Sequence, residues 1–223
     1  MTTAQRSAGY AERVIAAARD VFAEQGFDAP IAEVAHRAGV GVASIYRRWP
    51  SKTDLAEQVR ISCLRRIVDE AAAARAEEPD PWRAFTAFLR RCLAEGSGVG
   101  TVLPPDEPGV EHTADYLAAR RDMAASVDEV VRAAHEAGEL RPDFTAADVV
   151  LLFKHLNPAL PVAEPRRAEL RARYLAAVVE GLRAEGRGAE GRGIGDRDAG
   201  DRTPLPGAAP DWSEVHAMRR GET

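Results

Sequence analysis

Residues 31–54 read IAEVAHRAGVGVASIYRRWPSKTD, and they carry the most specific pattern in the chain. Ile31, Val34, Ala35 and Ala38 fall on one face of a short helix, about Ile31 to Ala38. Gly39-Val40-Gly41 breaks that helix, and a second short one, about Val42 to Arg48, runs up to Pro50. Ala35 is small where the second helix must approach, and Gly39 tolerates the left-handed backbone that a tight turn demands. Val34, Val40 and Ile45 are the apolar residues that pin the pair together. Two short helices joined in this way form the helix-turn-helix pattern. From His36 to Lys52 there are four formal cations, Arg37, Arg47, Arg48 and Lys52, and no carboxylate. Duplex DNA rewards such a patch, because each neutralised phosphate releases condensed counterions.

The rest of the chain reads as nearly all helix. Upstream, Val14, Ala17, Ala18, Val21 and Phe22 form one stripe of a helix from about Ala11 to Gln25, closed by Gly26. Downstream, Ser51-Lys52-Thr53-Asp54 is a capping box that opens a helix to about Arg75, with Leu55, Val59, Cys63, Ile67 and Ala71 recurring every fourth residue. A helix from about Pro81 to Glu95 carries Phe85, Phe88, Leu89 and Cys92. Gly96 to Gly109 reads as loop, and a long helix then runs to about Ala137 with Tyr116, Met123, Val127, Val130, Val131 and Ala134 on one side. Thr145 to Asp148 is a second capping box, opening a helix to about Leu156 whose Val149–Phe153 run is apolar all round. The last long helix ends near Glu185, with Leu170, Tyr174, Ala177, Val178, Gly181 and Leu182 as a stripe that Leu175 and Val179 widen. Beyond it the composition turns polar and glycine-rich, with Ala-Glu-Gly-Arg-Gly repeated in tandem from Ala184, as disordered tails do. Asp211 to Arg220 has the makings of one or two helical turns around Trp212.

Composition narrows the function. The chain has 223 residues and a formal net charge of −5, so it does not coat nucleic acid by bulk charge. No apolar run approaches the roughly 18 residues of a membrane span. The polar stretch Met1–Arg13 has no signal-peptide core, and two cysteines, Cys63 and Cys92, suit a reducing compartment, so a cytoplasmic location is expected. Gly96–Thr101 lacks the ending of a phosphate-binding loop. The histidines His36, His112, His135, His155 and His216 show no metal-ligand spacing, and no catalytic grouping has motif context. Neither an enzyme nor a metal or other cofactor is expected.

From Val14 through Leu55 the sequence resembles the tetracycline-repressor (TetR) family of bacterial transcription regulators. The resemblance is carried by Ala38-Gly39-Val40-Gly41-Val42-Ala43-Ser44-Ile45-Tyr46-Arg47-Arg48-Trp49-Pro50-Ser51-Lys52 and by Phe22-Ala23-Glu24-Gln25-Gly26-Phe27. Ala43-Ser44 stands where Gly-Thr is common, and Trp49 where Phe is usual. Residues 81–183 resemble in outline the regulatory domain of one branch of that family. The resemblance implies an all-α chain: a three-helix helix-turn-helix domain over residues 1–50, a ligand-binding and dimerisation bundle over 51–185, and a tail over 186–223. It implies a repressor that binds a palindromic operator as a homodimer and is released by a small hydrophobic effector. A helical small-molecule binding protein that does not read an operator is the alternative.

The expected DNA-facing residues are Gly41, Val42, Ser44, Tyr46, Arg47, Arg48, Trp49 and Lys52. Gly41, Val42 and Ser44 open the recognition helix, where base readout falls; Ser44 and Tyr46 have hydroxyls for phosphate; only one of Arg47 and Arg48 need face the groove. Trp49 has two readings, core packing beside Pro50 and DNA contact, and an indole serves both. Pocket candidates are Phe85, Phe88, Leu89, Cys92, His112, Tyr116, Met123 and Phe153, each of which also suits an ordinary core. For the dimer interface the apolar surplus of the last two helices points to Val150, Leu151, Tyr174, Val178 and Leu182.

Overall fold

A computed structural model describes residues 3–94, 112–156, 165–184 and 203–220. Among them the regular elements are helices: α1 (Thr3–Gln25), α2 (Ile31–Ala38), α3 (Val42–Arg48), α4 (Lys52–Glu77), α5 (Pro81–Leu93), α6 (Ala114–Glu136), α7 (Ala146–Leu156), α8 (Arg166–Leu182) and α9 (Trp212–Arg220). The loop expected over Gly96–Gly109 and the tandem repeat beyond Ala184 lie outside the described residues.

Local chemistry sets the boundaries. Gly39 ends α2 at φ +66, and the Gly39 and Val40 amides close the turn by donating to the His36 and Ala35 carbonyls. Ser51 and Asp54 cap α4 reciprocally, at 3.0 and 2.8 Å. Thr145 and Asp148 do the same before α7.

Two hydrophobic clusters share α4. The N-terminal cluster joins Val14, Ala18, Val21 and Phe22 of α1 to Val34 of α2, Ile45 of α3, and Leu55, Ala56 and Val59 of α4. The second starts at Ile61 and takes Leu64, Ile67, Ala71 and Ala74 into a bundle with α5 to α8. The N-terminal core therefore extends past the boundary expected at residue 50, because the first two turns of α4 belong to it. α4 lies between the two bodies, which is why it buries residues outside the four-residue repeat.

Composition predicts disorder in the tail over residues 186–223. Over residues 203–220 it folds back onto the bundle: Val215 of α9 is buried, and the Trp212 indole donates to the Asp128 carboxylate. Arg141 anchors this return. Its guanidinium is buried, pairs with Asp143 and also donates to the Thr203 carbonyl at 3.2 Å. Asp143 in turn accepts from the Leu205 amide at 2.7 Å. The Arg141 guanidinium and that amide hold the Asp143 carboxyl far below the usual carboxylate range.

Candidate nucleic-acid interface and regulatory core

α3 is a seven-residue helix with one buried side chain, Ile45. A helix so short has no stability of its own. Ile45 fixes it from below and Trp49, buried at its C-terminal end, fixes it from the side. Apart from the half-buried Ser44, the rest of the helix is exposed. Gly41, Ala43, Arg47 and Arg48 are exposed, and Val42 and Tyr46 remain 38% and 45% exposed despite their apolar surface. The expected readout residues thus sit together on one solvent-facing helix.

Trp49 is buried, as its core reading requires. Its ring lies nearly parallel to Tyr10 of α1, with centroids 6.4 Å apart, and the Arg48 guanidinium sits 5.8 Å above it. Ser44 is half-buried. Its hydroxyl donates to the Gly41 carbonyl at 2.6 Å and lies 2.9 Å from the Tyr10 hydroxyl. That engagement changes the expectation that it donates to a phosphate.

The local cation count also changes in three dimensions. Arg37 donates through both terminal nitrogens to Glu24 of α1, each at 2.7 Å. This holds the Glu24 carboxyl below its ordinary range. The carboxylate-free segment in sequence therefore meets a carboxylate from α1 in space, while Arg47 and Arg48 stay on the exposed face. The Lys52 ammonium rests over the rings of Phe27 (4.8 Å) and Phe22 (5.8 Å) at the first turn of α4. Cation–π contact of this kind positions the charge without neutralising it.

The comparisons agree with this arrangement. The family model described as bacterial regulatory proteins of the tetR family matches residues 14–59, and that of the SbtR-like transcriptional regulator C-terminal domain matches residues 80–184. This chain belongs to the TetR family of transcriptional regulators. A TetR transcriptional regulator from Streptomyces coelicolor is 27% identical, with a TM-score of 0.56 over 79% of this chain and 99% of its own. A TetR regulator from Mycobacterium vanbaalenii is also 27% identical, with a TM-score of 0.56 over 81% and 99%. The fatty acid degradation regulator FadR from Bacillus halodurans, 18% identical at a TM-score of 0.54 over 77% and 99%, shares the fold. No curated protein matches the chain. No helix of the described residues is long and apolar enough to cross a membrane, and no group of three or more His, Cys, Asp or Glu among them is arranged to hold a metal.

In the regulator's bundle, Phe85, Phe88, Leu89, Cys92, Tyr116, Met123 and Phe153 are all buried in one cluster. The rings of Phe88 and Phe153 meet edge to face at 6.0 Å. His112 stands at the margin, its ring 4.2 Å from that of Tyr116. Burial pushes the Cys92 thiol well above its ordinary pKa, so it acts as a small hydrophobe. At this margin Glu57 of α4 accepts from the Thr113 amide at 3.1 Å and lies 3.7 Å from the His112 Nδ1. The start of α6 is thereby tied to the N-terminal half of α4.

The expected interface residues divide. Val150 and Leu182, both expected at the dimer interface, are buried in the protomer's own core. Leu151 and Val178 are half-buried, and Tyr174 is 56% exposed. On α8 the expected stripe splits: Tyr174 and Ala177 are exposed, while Leu182, with the neighbouring Leu175, turns to the core. Sequence reasoning missed Tyr10, Glu24 and Glu57. Tyr10 had a signal, since it stands four residues before Val14 on the α1 stripe. Glu24 and Glu57 had none, because their partners come from other helices.

Proposed function

We propose that this regulator is a repressor that binds a palindromic operator as a two-fold homodimer and leaves it when a small hydrophobic effector enters the bundle. The observation that carries the reading is α3, a helix held by Ile45 and Trp49 that turns Val42, Tyr46 and Arg47 to solvent. With its N-terminal residues against base edges, Gly41, Val42 and Ser44 read sequence, while Tyr46, Lys52 and one of Arg47 and Arg48 set register on phosphates. Trp49 supports them from beneath. The exposed α8 stripe at Tyr174 supports pairing of two copies through α7 and α8, with Leu151 and Val178 beside it.

The aromatic cluster around Phe85, Phe88 and Tyr116 suits an apolar ligand, with Tyr116 or His112 as the polar handle. The Glu57 contacts with His112 and Thr113 supply a route from that cluster to α4, whose first turns belong to the DNA-binding core. A ligand that favours one position of α4 shifts the spacing of the two recognition helices.

The test is a gel shift on the DNA upstream of the regulator's own gene, repeated across salt concentrations. Tyr46→Ala and Lys52→Ala each weaken binding on all sequences and flatten the logarithmic salt slope by about one. Absence of any shifted band, in a protein that is dimeric by sedimentation, favours the binding protein that reads no operator. Unchanged slopes in both variants remove these residues from the phosphate contacts.

A further inference from the structure

We infer that Tyr10, on α1 and outside the matched helix-turn-helix region, sets what the recognition helix reads by turning the Ser44 hydroxyl into an acceptor. The inference rests on the proposed placement of α3 in the major groove. Ser44 has one hydroxyl proton, and it goes to the Gly41 carbonyl at 2.6 Å. The Tyr10 hydroxyl, 2.9 Å from Ser44 Oγ, is then the donor in their shared bond. The incoming Tyr10 proton closes the other direction in which the serine proton could turn. Gly41 does not itself require the serine, because its carbonyl also accepts from the Ser44 amide at 2.9 Å. Without Tyr10 the hydroxyl is able to turn from that carbonyl towards another acceptor. The ring of Tyr10 is held independently by its stack on Trp49, so the hydroxyl is delivered at a fixed place.

A half-buried serine oxygen with both protons in its neighbourhood assigned keeps one lone pair for a partner. In the major groove the matching groups are the exocyclic amines, adenine N6 and cytosine N4; the carbonyl oxygens of guanine O6 and thymine O4 are refused. Tyr10 is thus a positioning residue for base choice and touches no DNA itself in this role.

The test starts from a random-core duplex pool selected by the wild-type dimer, so that the protein itself picks the duplex it binds. Each base pair of that duplex that Ser44→Ala makes indifferent is then rebuilt with analogues, one lacking the exocyclic amine and one lacking the carbonyl oxygen. Loss of the amine is expected to weaken the wild type about three- to tenfold, the worth of one hydrogen bond, and to leave Ser44→Ala unaffected. Tyr10→Phe keeps the ring stack but is expected to lose that dependence and to tolerate either analogue. Dependence on the carbonyl oxygen in the wild type, Tyr10→Phe behaving as wild type, or Ser44→Ala altering no base position would each overturn the inference while leaving DNA binding intact. A wild type that enriches no duplex would remove the DNA-binding reading, and this one with it.

Discussion

Replacing Ile45 by alanine tests whether one side chain holds the recognition helix. Ile45 is 1% exposed and is the one buried residue within α3. The substitution removes three carbon groups at about 0.8 kcal/mol each, roughly 2.4 kcal/mol in transfer alone. The cavity left in the N-terminal cluster raises the loss into the range of about 2–5 kcal/mol. A seven-residue helix cannot offset this by its own propensity, so α3 is the part that opens. Native-state hydrogen exchange should show α3 amides, such as the Trp49 N–H that donates to Ile45 at 2.8 Å, losing about 50-fold or more in protection. Ile45→Val should lose only about two- to tenfold. Amides of α6 should be unchanged, because its buried residues belong to the other hydrophobic cluster. Operator affinity should fall with the closed fraction of α3 while the sedimentation of the dimer stays the same. Equal loss of protection in α3 and α6 would refute the division into two cores. Full protection of α3 in the alanine variant would refute the anchoring role given to Ile45, leaving Trp49 to hold the helix.

Three further outcomes follow from named contacts. Tyr174→Arg places like charges across the proposed two-fold axis on a surface the protomer does not bury, so sedimentation should show folded monomers and a dimer dissociation constant raised about 100-fold or more; Leu182→Arg, in the core, should instead unfold the bundle. Glu57→Ala removes the acceptor for Thr113 and the neighbour of His112, so titrating an effector with and without operator should show the coupling between them reduced from about 5–150-fold towards none, with dimerisation retained. Asp143 has a depressed pKa when folded, so the stability it lends is present above its unfolded value of about 3.9 and is lost as pH falls through the folded one. Exchange protection over residues 203–217 should accordingly decline in strong acid ahead of that of α6. Asp143→Ala should release the same segment at neutral pH.

Much of the fold was legible because its signals are local. The bounds of α2 and α3, the turn at Gly39, and the capping boxes at Ser51 and Thr145 depend on residues no more than a turn apart, and sequence reports these directly. What sequence could not report was which helix a side chain would meet. Arg37 read as a free cation until α1 brought Glu24 to it, and Ser44 read as a phosphate donor until α1 brought Tyr10. Both partners lie on α1, which starts at Thr3, whereas the sequence pattern begins it near Ala11 and leaves Tyr10 outside the helix. The tail shows the same limit from another direction. Its composition predicts disorder, yet Val215 and Trp212 are enough to dock a short helix once Arg141 and Asp143 tie down the chain before it.

α8 shows why periodicity alone assigns no owner to an apolar face. Successive residues on a helix are turned by about 100°. Tyr174 and Leu175 therefore point in very different directions, and both belong to sequences of apolar residues spaced three, four or seven apart. One set, Leu175 and Leu182, is buried in the protomer's core; the other, with Tyr174 and Ala177, is exposed, and Val178 lies half-buried between them. Read as a single broad stripe, the two sets suggest only surplus hydrophobicity. Once the fold separates them, the surplus has a direction. A helix that satisfies its own core along one line and leaves a tyrosine 56% exposed along the next has the apolar area for a second contact of its own. That is the surface on which the proposed two-fold pairing depends, and the contrast between Tyr174→Arg and Leu182→Arg measures each line separately.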